Sequence, residues 1–416
     1  MTKKDFFLLF IILTVNLSFR LYRLDYGQGP IFDEKAYYLD AARSYIEDRD
    51  DPNIEHPPLG KILIASGIRI FGDNPYGWRL PSLIFSLFGI ALTYLLAKEL
   101  FVGKFVPVLS AGLLSIDNLF FIHSRLAVPE MFLLTFSLGV MFFLWRYFRE
   151  GRGVDLWLMA LSFGGGLATK WTIVFLLPTV FFFLYRRGGR RSLLKESILL
   201  LTVSSILYLA VYFPYIRRHS FWRFIALQQT MFGFWKNFEA KANFDPVSYF
   251  LNHAVVWIFN PGWNYDVRIE GGRIAVINAL FNPVLYWVSL YFVVKMVFSR
   301  RRGGDLKNLF LIFPIAANFL PWLLVKRVQY LYYFLSALPF LCLITACQLE
   351  SIWRKNLEGR YKAAWVMITA VAAFIVFYPM SSSLPVSKRY LSPLSVSPLT
   401  VTTVDGSGNT RGFTLR

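Results

Sequence analysis

Residues 3–34 read KKDFFLLFIILTVNLSFRLYRLDYGQGPIFDE. Lys3 and Lys4 precede an apolar core, Arg20 and Arg23 follow it, and a Gly29-Pro30 break then delivers two adjacent carboxylates, Asp33 and Glu34. A cleaved signal peptide is the rival reading. The core, however, runs for about 18 residues with no small-residue cleavage site, which is the length of a membrane span. An uncleaved first span with its N-terminus inside places Asp33 and Glu34 on the outer side.

The rest of the chain agrees with a membrane solvent. Hydrophobic residues make up 56% and aromatic residues 18%, with only 17% charged, where a soluble chain carries about 25% charged residues. That excludes a disordered chain and an ordinary cytosolic protein. Apolar runs of about 17–23 residues are expected for spans. They fall near 6–24, 79–101, 105–122, 127–147, 155–169, 171–185, 196–215, 279–298, 308–325, 328–349 and 363–379, two of them short. The expected fold class is therefore an all-α polytopic membrane protein with about 11 transmembrane helices.

The net charge of +19 would suggest nucleic acid in a soluble protein. Here one set of short loops holds most of the excess, as in Arg146, Arg149 and Arg152, or Arg186, Arg187, Arg190, Arg191 and Lys195. The opposite short loops hold only Arg125, Lys170, Lys326 and Arg327. Basic residues collect on the cytoplasmic side, so the N-terminus is expected inside and the C-terminus outside. No basic soluble module is present, and no nucleic-acid partner is expected. Cys342 and Cys347 share one apolar stretch and indicate neither a disulfide framework nor a zinc motif. No inner loop has room for a nucleotide-binding domain, and no GxxxxGK[ST] or strand-embedded GxGxxG occurs. Gly164, Gly165 and Gly166 read as close helix packing. Any substrate must arrive through the bilayer or from outside.

Two long segments lie outside, 25–78 and 216–278. The first holds ten of the 25 acidic residues of this basic chain. In it Glu55-His56-Pro57-Pro58-Leu59-Gly60-Lys61 reads as a rigid corner, because Pro57 bars His56 from helical geometry and Pro58 suits the first position of a short surface helix. A structural corner with solvated charges and a site corner remain equally open. A third cluster, Asp117-Asn118 through Ser124-Arg125 to Glu130, lies at the outer ends of two spans. An ionisable group there must pair or face a wet cavity, and Arg125 is the expected partner. Lys170 beside Trp171, and Lys326-Arg327 near Trp322, lie on the same side as either snorkelling cations or phosphate binders. The second long segment is aromatic, with Trp222, Trp235, Trp257 and Trp263, and reads as interface anchoring or as a lid. In the Ser/Thr/Pro-rich tail 381–416, Val401–Val404 and Gly412–Leu415 could pair around Asp405-Gly406.

Taken together, Phe32-Asp33-Glu34, the His56–Lys61 corner and Asp117-Asn118 with Ser124-Arg125 and Glu130 resemble the dolichyl-phosphate-mannose protein O-mannosyltransferase family, within the GT-C glycosyltransferases. Weaker echoes are Gly166–Trp171, Asn282–Trp287 and Tyr330–Leu338. The sequence departs from the family in Glu130, where Asp is more frequent, in Tyr333, where His is, and in a second outer segment too short for a β-trefoil. The resemblance implies a GT-C transmembrane catalytic domain over 1–380 whose first outer loop carries juxtamembrane helices. It also implies a polyprenyl-phosphate-linked sugar donor, mannose in the first instance, and a Ser/Thr protein acceptor. Asp33 would act as general base with inversion and Glu34 would orient base or acceptor. Arg125, Lys170, Lys326 and Arg327 would face the donor phosphate. Glu55, His56, Pro57, Pro58, Lys61, Asp117, Asn118, Glu130 and Tyr333 would shape the pocket.

An ordinary carboxylate pKa of about 4 is expected to keep Asp33 ionised. No His/Cys metal cluster is visible, and a carboxylate-bound divalent cation stays open. The resemblance also allows a homo-oligomer. Localisation is expected to be multi-pass in the plasma membrane if the source is prokaryotic, with the catalytic face extracytoplasmic. Two rivals stand beside this reading: transfer of the sugar to a lipid or envelope glycan, as in the aminoarabinose transferases with their similar Pro-Pro corner, and a transporter. Apolar span interiors and the lack of an internal repeat speak against the transporter.

Overall fold

The computed structural model describes residues 2–26, 29–31, 33–237, 254–260, 263–298, 305–325, 329–391, 394, 399–404 and 410–415. Each of the expected apolar runs overlaps helix. Six helical segments are long and apolar enough to cross a membrane: Pro75–Leu100, Glu130–Glu150, Trp171–His219, Leu306–Leu324, Leu331–Trp353 and Leu357–Ser381. Phe105–Ser115, Gly153–Leu167 and Pro283–Phe298 are shorter apolar helices. The chain is a mostly helical, multi-pass integral membrane protein.

Its helices, in chain order, begin with α1 (Lys3–Leu21), α2 (Asp40–Ile46), α3 (Leu59–Phe71) and α4 (Pro75–Leu100). Next come α5 (Phe105–Ser115), α6 (Asn118–His123), α7 (Glu130–Glu150), α8 (Gly153–Leu167), α9 (Leu177–His219) and α10 (Phe221–Asn237). The last are α11 (Pro283–Phe298), α12 (Leu306–Phe319), α13 (Leu338–Trp353), α14 (Leu357–Ser381) and the short α15 (Lys388–Leu391).

Local sequence sets several of these boundaries. Asn74 caps α4, its Oδ1 accepting from the N–H groups of Tyr76 at 3.0 Å and Gly77 at 3.2 Å, with Pro75 at the first helical position. The expected run over 105–122 breaks at Asp117, because its carboxylate caps α6 by accepting from the N–H of Phe120 at 2.9 Å. The runs over 171–185 and 196–215 form one helical stretch broken at Gly188-Gly189, where Gly189 has φ +68°.

Burial divides the helices by neighbour. In α7 and α13 most of the apolar residues are inside the bundle. On α14, Tyr361, Trp365, Ile368, Val371 and Ile375 recur at helical spacing and are exposed, a stripe that faces lipid. The segment 25–78 contains the short helices α2 and α3. Helix α3 lies so close to α4 that a Cβ on Gly67 would stand 2.3 Å from the Gly77 carbonyl oxygen.

The all-α expectation needs a correction. Strands β1 (Trp263–Glu270) and β2 (Arg273–Ala279) form an antiparallel hairpin at the end of the segment 216–278. The connecting Gly271 and Gly272 have φ of +54° and +75°, the two left-handed residues of a type I′ turn. In the tail, β3 (Leu399–Val404) and β4 (Thr410–Leu415) pair antiparallel with Val401 opposite Phe413.

Candidate active site

One group of buried polar residues, with Glu34, Arg79, Glu130 and Lys170 among them, lies where the end of α1, the starts of α4 and α7 and the end of α8 meet. Asp33 precedes a π-helical turn, Glu34–Leu39, that runs directly into α2. Such wide turns recur at functional sites. Successive residues of a helical turn diverge by about 100°, and the two carboxylates have different surroundings. Glu34 is fully buried. Its Oε1 accepts from Arg79 Nε at 2.8 Å and from the N–H of Ala127 at 2.9 Å; its Oε2 accepts from Arg79 Nη2 at 2.8 Å and from the N–H of Ile31 at 2.9 Å. Asp33 is half-buried and, among the described residues, has no hydrogen-bond or ion-pair partner.

Arg79 was not singled out by sequence reasoning. Besides Glu34 it donates to the carbonyls of Leu24 at 2.8 Å, Tyr26 at 3.3 Å and Gly29 at 3.3 Å, and its guanidinium stands 4.1 Å from the centroid of the Tyr26 ring. Leu24, Tyr26, Gly29 and Glu34 are thus tied to the start of α4, and Asp33 is carried beside the last of them. Arg79 follows a cap and precedes a long apolar run, where a lone cation reads as snorkelling.

Across the site, Lys170 at the end of α8 donates from Nζ to Glu130 Oε1 at 2.9 Å, both side chains being nearly inaccessible. The Lys170 ammonium also stands 5.4 Å and 5.2 Å from the ring centroids of Tyr332 and Tyr333. Tyr333 stacks on Trp322 with centroids 4.5 Å apart. Glu130, Lys170, Trp322, Tyr332, Tyr333 and Ser336 line one cleft. Electrostatics connect Asp33 to it. Burial, reinforced by the carboxylates of Glu130 and Glu34 and opposed by Lys170, pushes Asp33 up to about 6. The expected ordinary carboxylate value is corrected on that physical ground.

Arg125 does not pair with Asp117 or Glu130 as expected. It is buried, with Nη2 donating to the carbonyls of Tyr22 at 2.8 Å and Arg23 at 2.6 Å, so it holds the end of α1. Lys170 takes Glu130 instead. Asp117 accepts from backbone N–H groups, that of Asn282 at 2.9 Å among them, and Asn118 Nδ2 donates to Ser381 Oγ at 3.0 Å. These two residues fasten α6 to α11 and α14. Lys326 and Arg327 lie outside the described residues.

The Pro-Pro corner is a scaffold built on a buried lysine. Lys61 pairs with Asp51 and donates to the carbonyls of Asn53 at 2.5 Å and His56 at 2.8 Å. Pro57 and Pro58 are buried, and the N–H of Leu59 donates to the Ala168 carbonyl at 2.9 Å, two residues before Lys170. Glu55 acts electrostatically on Tyr37, as Asp33 does. His56 faces another cavity, with Tyr45, Asp51 and Tyr212.

The β1–β2 hairpin adds Tyr265, whose hydroxyl stands 3.0 Å from His123 Nε2, while His123 Nδ1 is 2.9 Å from the Leu119 carbonyl. Alternating Tyr265–Ile269 followed by Gly271-Gly272 was the available signal for this hairpin. Among the described residues no three His, Cys, Asp or Glu side chains are grouped to hold a metal ion. Glu130, the carboxylate that acts most strongly on Asp33, is already matched by an ammonium, a poor donor set for a resident cation.

The site can be set beside known proteins. The family model described as dolichyl-phosphate-mannose-protein mannosyltransferase matches residues 55–216. A polyprenol-phosphate-mannose–protein mannosyltransferase of Mycolicibacterium smegmatis is 24% identical over 86% of this chain and 85% of its own. An uncharacterised Aquifex aeolicus protein is 29% identical over 60% of this chain, which spans only 54% of that relative. A Pseudomonas fluorescens undecaprenyl phosphate-aminoarabinose arabinosyl transferase is 30% identical over 41% of this chain and 31% of its own. Among solved structures, the S. cerevisiae protein O-mannosyltransferase Pmt1–Pmt2 complex bound to the sugar donor aligns with a TM-score of 0.77, at 13% identity over 94% of this chain and 92% of that one. Cupriavidus metallidurans ArnT bound to undecaprenyl phosphate aligns with a TM-score of 0.56, at 15% identity over 93% of this chain and 72% of that one. The chain is thus a membrane protein of the GT-C fold whose residues 55–216 match the dolichyl-phosphate-mannose-protein mannosyltransferase family, and a distant homologue of the polyprenol-phosphate-mannose protein mannosyltransferases.

Proposed function

We propose that this protein is a polyprenyl-phosphate-sugar-dependent glycosyltransferase that moves mannose to a Ser or Thr hydroxyl of a protein, inverting the anomeric carbon. The observation that carries the reading is a half-buried Asp33 carboxylate, without a hydrogen-bond or ion-pair partner among the described residues, that feels the charges of Glu130 and Lys170, two residues lining one aromatic-walled cleft. Asp33 takes the acceptor hydroxyl proton as that oxygen attacks the anomeric carbon. The bond to the donor's phosphate oxygen breaks, and its electron pair leaves with the polyprenyl phosphate. Lys170, held by Glu130, faces the charge that develops on the leaving phosphate, where preorganised positive charge has its greatest effect. On sequence grounds alone, Lys326 and Arg327 are assigned the same role. Glu34 positions Asp33 through Arg79 and does not touch the acceptor. The tyrosine faces of Tyr332 and Tyr333 bound the sugar.

The topology that goes with this reading has eleven crossings, the N-terminus inside and the site on the extracytoplasmic face, supported by the basic short loops on one side only. Residues 1–380 form the catalytic unit and 381–416 an outer appendage.

The test is to incubate membranes holding the protein with labelled polyprenyl-phosphate mannose and to follow label into protein or lipid. Label in protein is the expected result. Label in lipid alone selects the second reading, transfer to an envelope lipid or glycan.

Two further results follow. Asp33 must be ionised to accept a proton and, with burial and Glu130 holding it up to about 6, the acid limb of kcat/KM should bend near pH 6. Below it the rate falls tenfold per pH unit; above it the rate is flat. A bend at about 4, the value of an exposed Asp, contradicts the assignment. Replacing Lys170 by Met should lower kcat by about 10²-fold. It should also move the acid limb to higher pH, because Lys170 opposes the rise at Asp33. An unchanged limb removes Lys170 from the site.

A further inference from the structure

We propose that Arg20 marks a second anion site, on the lipid-facing side of the bundle, that holds the phosphate headgroup of an anionic phospholipid of the bilayer. Arg20 lies one residue before the end of α1 and is 1% exposed. Its Nη1 donates to Asn16 Oδ1 at 2.5 Å and its Nη2 reaches the Ser115 carbonyl at a long 3.4 Å. Nε has no partner. A guanidinium has five N–H donors, and no carboxylate is paired with this one among the described residues.

A second cation adds to the imbalance. The guanidinium carbons of Arg20 and Arg125 each stand 5.2 Å from the centroid of the Phe121 ring, and Nε and Nη1 of Arg125 are also buried without hydrogen-bond partners. Two positive charges therefore share one apolar region with only neutral acceptors around them. Buried charges of this kind require a counter-charge.

The space for one is present. A cavity of about 430 Å³ lies between α1 and α14, with Arg20, Val15, Phe19, Val371, Phe374 and Tyr378 among its walls. Its rim residues Val15, Phe19, Val371 and Ile375 are exposed apolar side chains, so the mouth opens to acyl chains. No wall residue is shared with the Lys170 cleft. An apolar mouth with a cationic inner end is complementary to a lipid that carries an anionic head, and basic pockets between membrane helices take such heads. The phosphate would bridge to Arg20 and satisfy the region's charge, leaving the reaction cleft free for its donor.

The test uses the purified full chain, exchanged into equal phosphatidylglycerol and phosphatidylcholine of matched acyl chains, with retained lipid measured by native mass spectrometry. Wild type should retain phosphatidylglycerol roughly tenfold over phosphatidylcholine. Arg20→Gln should reduce that ratio to near one. Val371→Trp, which fills the mouth without altering charge, should lower retention of both lipids. Equal retention by wild type overturns the proposal, as does a folded Arg20→Gln that keeps the preference. Should Arg20→Gln fail to fold, Val371→Trp decides: unchanged retention overturns the proposal. Displacement of the bound phosphatidylglycerol by stoichiometric polyprenyl phosphate also overturns it, assigning the cavity to the donor.

Discussion

Asp33→Asn should abolish sugar transfer while leaving the fold intact. The substitution keeps size and shape and removes only the ability to accept a proton, so the loss should be that of a general base, about 10²–10⁴-fold in kcat. Stability should not follow. Asp33 has no hydrogen-bond partner to lose among the described residues, and Glu130 and Glu34 both oppose its charge. The melting temperature should therefore stay level or rise slightly, and donor binding should persist because the proposed phosphate-facing residue, Lys170, is unchanged. Activity near wild type, or a loss matched by a fall in melting temperature, contradicts the base assignment.

Arg79→Met should act in the opposite way, on stability first. Arg79 and Glu34 are both fully buried, and the Glu34 carboxylate accepts four hydrogen bonds, two of them from Arg79. Removing one member of such a pair leaves an uncompensated charge and costs about 3–5 kcal/mol. Residues 24–34 also lose three carbonyl anchors. A large fall in melting temperature is expected, with transfer falling because Asp33 is no longer held in place. Arg79→Lys should rescue little, since an ammonium does not reproduce the planar two-point contact. The double variant Glu34→Gln/Arg79→Met should regain part of the loss, because no lone charge is left behind. A single Arg79→Met that melts like wild type contradicts the structural role given to the pair.

The contrast between these neighbours explains what the sequence could and could not convey. Composition and apolar run length made the helical membrane class legible, and the adjacent carboxylates and the Pro-Pro corner pointed to the segment 25–78. The division of labour between Asp33 and Glu34 was not legible. Their side chains diverge on one turn, and the partners that distinguish them come from α4 and the turn before α7. The Glu130–Lys170 pair is likewise formed across 40 positions by two helix ends. Arg79 carried no signal, because three of its anchors are backbone carbonyls and its carboxylate partner, Glu34, stands 45 positions away. Arg125, expected to pair with Asp117 or Glu130, holds the end of α1 through contacts to backbone carbonyls instead. The β1–β2 hairpin was legible in its alternation and Gly-Gly turn, and was passed over because its surroundings are helical and aromatic.

The most direct test of the central claim is reconstitution of the purified protein in liposomes with labelled polyprenyl-phosphate mannose and a Ser/Thr peptide, followed by analysis of the anomeric configuration of the product. The account predicts mannose on the peptide hydroxyl with inverted configuration, at a rate that Asp33→Asn removes. Transfer with retained configuration, or folded wild-type protein that transfers sugar to neither peptide nor lipid, would contradict it.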